Sequence, residues 1–212
     1  MTEICKYMIG CLLLVTQMSL ASQSELVDRL HQAYADVQYF EAEFIQEKHV
    51  KHLSVPLISA GKIQFAKNHG MIWEITKPIW VKTKINQQGI FKTNQFYQDK
   101  KVTDVQMKAV AGILTELLSS RLDRIESQFN VQKVEFEPNS LDWQVTLLAK
   151  SPIIKKALYA LVLSGNTGET AMDRGISQIQ IIDQAANKTI ISLHVITLKN
   201  QPLSQDLVDV FQ

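Results

Sequence analysis

Glu41, Glu43 and Glu47 stand close to His49 and His52, with His69 further on, and side chains of these types could do proton-transfer or metal chemistry. Spaced by even numbers, the three glutamates share one face of a strand, where a carboxylate pair could act as acid and base. A polar outer face accounts for them as fully. The histidines could be drawn as a metal cluster, but they fall at a strand end and in loops among lysines, with no carboxylate-rich helix to complete a ligand set. Solvated loop histidines are the better reading, and neither metal nor other cofactor is expected. Cys5 and Cys11 both precede the expected mature start, so the mature chain has no thiol for a nucleophile, a disulfide or a thiolate metal site. There is no G-x-S-x-G elbow, no phosphate-binding glycine loop and no H-E-x-x-H helix. Asn187-Lys188-Thr189 is formally a glycosylation sequon and reads as a turn. These features point away from an enzyme.

The 212 residues are 46% hydrophobic and 20% charged, with a formal net charge of +1, so bulk electrostatics give no reason to expect a nucleic-acid partner. Lys6 supplies a positive n-region, Met8 to Val15 an apolar h-region, and Ser19-Leu20-Ala21 a small-x-small cleavage site. Thr16, Gln17 and Ser19 break the apolar run, which is too short to span a bilayer. Residues 1–21 therefore read as a cleaved signal peptide, and Leu12 to Leu14 continue the apolar run past Cys11, against a lipid anchor there. Residues 22–212 read as a single domain, exported and periplasmic in a bacterial cell, long enough to bury roughly 70% of its unfolded surface.

The elements that must position any site are mostly strands. Phe40, Ala42 and Phe44 alternate with Glu41 and Glu43; Leu57, Ser59, Gly61, Ile63 and Phe65 share a face; Met71, Trp73 and Ile75 repeat the pattern before Pro78. This period of two predicts a three-strand antiparallel meander with one apolar, aromatic-rich face. Val81, Thr83 and Ile85 alternate with Lys82 and Lys84, Asn86 to Gly89 turns, and Ile90 to Tyr97 returns as one strand. Later runs at 131–136, 141–149, 158–163, 176–182 and 189–197 bring the total to about ten strands, with a glycine-rich loop over 165–175. A capping box at Ser22 and Glu25 opens a helix over 24–37, and a second at Thr103 and Gln106 opens one over 105–126. Ten antiparallel strands with a mid-chain helix predict a mainly antiparallel α+β fold, a strongly curved sheet or incomplete barrel with helices over its mouth. The 105–126 helix packs as ordinary core or rests as a lid on the concave sheet, enclosing a dry cavity suited to acyl chains.

The order helix, Phe-x-x-x-Phe-x-Gln, Gly, Trp-x-x-x-x-Pro, here Phe40, Phe44, Gln46, Gly61, Trp73 and Pro78, resembles the LolA family of periplasmic outer-membrane lipoprotein carriers. The resemblance extends along the mature chain through the mid-chain helix, the strand with Trp143 and the hairpin around Asn187. It implies an incomplete, half-open β-barrel closed by a helical lid, whose cavity carries lipoprotein acyl chains from an inner-membrane transporter to an outer-membrane acceptor without covalent chemistry. The protein would act as a monomer. The family's Arg-Pro pair, whose arginine latches the lid, is Lys67-Asn68 here, and lysine lacks the planar five-donor fork. Met71 stands where the family has an aromatic, so the chain looks like a divergent branch, whose cargo could be another acylated lipid from a different exporter.

The acyl-chain cavity expected from this combined reading comprises Phe40, Phe44, Phe65, Met71, Trp73 and Ile75 on the sheet and Leu114, Leu117 and Leu118 on the lid, with Lys67 as the latch. Two alternatives keep the fold: a carrier of other amphiphiles, and a non-enzymatic sensor or protein-binding module with a filled interior.

Overall fold

A computed structural model describes residues 34–102, 111–116, 119, 122–136, 142–168 and 174–212. Eleven strands form one antiparallel sheet: β1 (Tyr39–His49), β2 (Leu57–Ala66), β3 (Gly70–Lys77), β4 (Val81–Asn86), β5 (Gly89–Asn94), β6 (Tyr97–Lys101), β7 (Phe129–Phe136), β8 (Asp142–Ala149), β9 (Ala160–Thr167), β10 (Arg174–Ile182) and β11 (Lys188–Lys199). Their spatial order is β6-β5-β4-β3-β2-β1-β11-β10-β9-β8-β7. Two meanders are thus joined at the centre, where β1 pairs along its whole length with β11, and β6 and β7 are left as unjoined edges. The chain passes from one edge to the other through residues 102–128, which include helical residues 111–116 and the helix Leu122–Gln128.

The alternation read in β1 to β3 holds. Phe40, Ala42 and Phe44 face inward and pair with Phe65, Ile63 and Gly61, which pair in turn with Met71, Trp73 and Ile75. Val81, Thr83 and Ile85 continue these rows on β4. On the other side of β1, Ile191 and Thr189 lead to Ile179 and Ile181, then Leu163 and Leu161, then Val145 and Leu147. Side chains from strands near both edges, Ile90 and Trp143 among them, fall in one hydrophobic cluster with Ala111, Ile113, Leu114 and Ile125 of the crossing segment. Only a curled sheet can bring them together. Val81 of β4 and Ile181 of β10 line one cavity, yet a flat sheet would hold strands five places apart about 24 Å from each other. The structure is an eleven-strand, curved, unclosed sheet with few helices, and it agrees with the fold expected from the sequence.

Several local expectations are corrected. The strand expected from Ile90 to Tyr97 is two, β5 and β6, because the Asn94 side chain accepts from the backbone N–H groups of Phe96 (2.9 Å) and Tyr97 (3.1 Å) and turns the chain. Gly165 and Gly175 do not bound a loop; both sit inside paired strands, β9 and β10. Adding a Cβ to Gly165 would bring it 2.0 Å from the Gly175 carbonyl oxygen and 2.4 Å from the Trp143 ring, so glycine is what lets the indole lie there. Of the expected 105–126 helix, residues 111–116 are helical and Leu122–Gln128 is a helix that runs on to the start of β7, while 105–110, 117–118 and 120–121 lie outside the described residues. Helices at Pro152–Ala157 and Gln205–Asp209 had no counterpart in the sequence pattern.

The second of these covers the convex face. Tyr39, Ala66 and Ile72 point outward from β1, β2 and β3, and Phe211 packs on them with Leu203 and Leu207 beside it. Lys84 and Asn86 of β4 donate to the carbonyl oxygens of Gln212 and Phe211, and so tie the C-terminal segment down. Residues 1–21, with the expected signal peptide, and most of the expected 24–37 helix lie outside the described residues. What is described of that helix ends in a turn at 34–37. There the buried Tyr34 hydroxyl accepts from the Ile176 backbone N–H at 2.7 Å, in the space that a side chain at Gly175 would fill.

Candidate ligand-binding groove

The inner face is not filled evenly. Between β3, β4 and β5 on one side and β1, β11 and β10 on the other lies an open groove of about 270 Å³. Its apolar wall is Met71, Trp73 and Ile75 from β3, Val81 and Ile85 from β4, and Ile181 and Ile191 from β10 and β11. Ala111 and Leu114 of the crossing segment bound it too, so helical residues do form part of the enclosure. Each strand places its residues there by the same period of two that buries the rest of the face.

The polar lining comes from the same rows. On β1 the inward positions run Phe40, Ala42, Phe44, Gln46, Lys48, passing from fully buried to exposed as the strand leaves the core. Gln46 donates from Nε2 to Ser59 Oγ at 3.2 Å. Lys48 pairs with Thr189 on β11, and Lys92 on β5 with Thr83 on β4; all four line the groove. The lining contains two lysines and no carboxylate, and among the described residues neither lysine has an acidic partner within 4.0 Å.

Of the residues expected to form a cavity, Met71, Trp73, Ile75 and Leu114 line this groove. Phe40, Phe44 and Phe65 lie deeper, each 1–2% exposed, in the packed cluster beneath it. Phe44 backs the groove wall: its ring lies 4.8 Å from that of Trp73 at 48°, a diagonal contact over β2, where the residue paired with Phe44 is Gly61. Leu117 and Leu118 fall outside the described residues. Lys67 does make a tether, Nζ donating to the Ala35 carbonyl oxygen at 2.7 Å, but the group it holds belongs to the turn at 34–37. Glu41, Glu43 and Glu47 face away from the groove, on the convex side. There Glu41 lies 3.6 Å from Lys62 and accepts from the Tyr39 hydroxyl at 2.8 Å. Burial first, and then this carboxylate, hold the Tyr39 hydroxyl protonated well above the usual tyrosine range. No group of three potential metal ligands occurs among the described residues.

Sequence reading missed Gln46, Lys48, Val81, Thr83, Ile85, Lys92, Ala111, Ile181, Thr189 and Ile191 as groove residues. For Gln46 and Lys48 the signal was present, since both have the parity of Phe40 and Phe44. Ile181 and Lys92 meet only because the sheet curls, which no local pattern records.

No family model and no curated protein matches this chain. Among solved structures, the chain is similar in fold to a LolA superfamily protein from Nitrosomonas europaea, at 8% identity over 87% of this chain and 96% of that one, with a TM-score of 0.46. The lipoprotein LppX of Mycobacterium tuberculosis is similar at 11% identity over 87% and 97%, TM-score 0.46. A putative outer membrane lipoprotein-sorting protein domain from Vibrio parahaemolyticus is similar at 9% identity over 87% and 96%, TM-score 0.46.

Proposed function

We propose that residues 22–212 form a single-domain carrier, exported to the periplasm after loss of residues 1–21, which holds an acyl chain in the groove and does no covalent chemistry on it. The observation that carries this reading is the groove itself: seven aliphatic, aromatic and thioether side chains line it beneath a helical segment, beside a buried hydrophobic cluster. Each methylene moved from water onto that wall contributes about 0.8 kcal/mol, so a chain of ordinary length needs no further specific contact to bind. At about 270 Å³ the groove lies just under the range of roughly 300–1,000 Å³ usual for small-molecule sites, room for one chain.

The order of Phe40, Phe44, Gln46, Gly61, Trp73 and Pro78 supports lipoproteins as cargo, collected from an inner-membrane transporter and passed to an outer-membrane acceptor by a monomeric carrier. Handover requires bound and released states only a few kcal/mol apart, so that a partner can tip the balance. The single-chain volume favours a second cargo reading, another acylated amphiphile delivered by a different exporter. Titration of the purified protein with a fluorescent acyl probe, with lysolipid as competitor, tests the carrier itself. Saturable, competed binding is expected; a folded protein that binds neither would mean a closed interior and a protein-binding role.

A further inference from the structure

We infer that the groove selects a single-chain amphiphile with an oxyanion head, a carboxylate or phosphate, held by Lys48 and Lys92; the inference rests on the acyl-groove reading. The lining pairs an apolar wall with two ammonium groups and has no acidic residue to neutralise them. Lys92 is half-buried beside Thr83, which is itself 5% exposed, so this end of the site has lost part of its water, while Lys48 stands exposed at the rim. An ammonium in such a position is costly without a partner and gains most from a charge-assisted hydrogen bond to an oxyanion. Two other lysines of the described strands do have a carboxylate beside them, Lys62 at Glu41 and Lys133 at Glu135. Lys48 and Lys92 are the two that share a cavity, and the cavity is apolar everywhere else except at Gln46, Thr83 and Thr189. Those three side chains can donate to or accept from the remainder of a polar head but carry no charge to compete with it.

The lysines reach the groove from opposite sides, Lys48 from β1 and Lys92 from β5, so the chain lies along Trp73, Ile75 and Ile191 with its head toward the ammonium groups. A neutral glyceride head would leave both ammonium groups with water only, and a zwitterionic head would bring its own cation into a site that is already positive. This favours an anionic lipid over a neutral diacylglyceryl group as cargo.

The test is a calorimetric titration of the wild-type protein with palmitate, palmitoyl lysophosphatidate, palmitoyl lysophosphatidylcholine and monopalmitoylglycerol, which share one chain. Inorganic phosphate is titrated separately. The two anions are expected to bind at least about tenfold tighter than the neutral lipid, the worth of one hydrogen bond to a charged group. That ratio is expected to shrink as salt is added to the wild type. It is also expected to fall toward one in Lys48→Gln/Lys92→Gln and to be kept in Lys48→Arg/Lys92→Arg. Equal affinity for all four lipids would overturn the head-group inference and leave the acyl groove standing. Binding of none of them would overturn the groove reading beneath it. Phosphate alone binding as tightly as lysophosphatidate would show an ion site indifferent to the chain, and would also overturn it.

Discussion

Each half of the sheet presents an inward tryptophan near a glycine, and the two have opposite fates. Trp143 on β8 lies over Gly165, is 3% exposed and belongs to the buried cluster that also holds Val145, Leu147, Leu161 and Leu163. Trp73 on β3 pairs with Ile63, one inward position along β2 from Gly61, with Phe44 behind it, and its outer side is left half-exposed in the groove. The strand pattern around both is the same alternation. The difference lies in what faces them: aliphatic rows close on Trp143, whereas polar positions at Gln46, Lys48 and Lys92 keep the rows around Trp73 from closing. A packed half can hold the fold while the other half stays open, because the stability given up by an unfilled wall is supplied elsewhere.

The same charge placed in each half should have opposite consequences. Val145→Asp buries a carboxylate with no partner in the packed half and should cost several kcal/mol, enough to leave no cooperative urea transition. Ile75→Asp places it on the groove wall, where water can reach it, and should leave the transition in place while acyl-probe binding is lost. Met71 is a poorer site for this test, since it is 0% exposed and a charge there would unfold as well as repel. If Ile75→Asp binds like wild type, the groove is not where the chain goes.

A second contrast is between the two faces of β1 to β3. Phe211→Ala should cost about 3–5 kcal/mol by calorimetry, close to a core substitution, although the residue is next to last in the chain. A cost under about 1 kcal/mol would mean that the C-terminal segment only rests on Tyr39 and Ile72.

How much of this was legible in the sequence follows from the same contrasts. Inward and outward faces of β1 to β4 could be read because alternation is local: Phe40, Ala42 and Phe44 against Glu41 and Glu43 leave only one register with a dry face. Whether an inward aromatic is packed or lines a groove could not be read, because Phe65 and Trp73 carry the same pattern and differ only in what curls over them. The convex cluster escaped for a related reason. Tyr39, Ala66 and Ile72 each look like a stray apolar residue on a wet face until Phe211, far away in sequence, supplies the cover.

The turn at 34–37 is fastened to both halves, by different chemistry. On the packed side, burial pushes the Tyr34 hydroxyl up to about 12 from 10.0, against the opposing effect of the hydrogen bond from Ile176. Because the folded value lies above the unfolded one, Tyr34 favours the folded state fully below pH 10. Between pH 10 and about 12 the unfolded chain loses its proton first, and stability falls by about 1.4 kcal/mol per pH unit. Tyr34→Phe should therefore be less stable at neutral pH by roughly 1–2 kcal/mol, the value of the lost hydrogen bond, yet show a shallower decline across that window. Parallel declines in the two proteins would mean that other tyrosines dominate the alkaline limb.

On the groove side the fastening is Lys67 Nζ to the Ala35 carbonyl oxygen, at a half-buried position that water shares. Its removal in Lys67→Met, which keeps the alkyl stem, should cost about 0.5–1.5 kcal/mol, the net worth of one hydrogen bond. The more telling readout is binding. A tether confined to the turn leaves acyl-probe affinity and dissociation rate as they were. A latch on the groove would let the probe leave faster at unchanged stability, so a stopped-flow displacement on Lys67→Met decides between the two. A faster release would extend the role of Lys67 from the turn it is seen to hold to the crossing segment over Trp73, and would make the open half of the sheet a gated one.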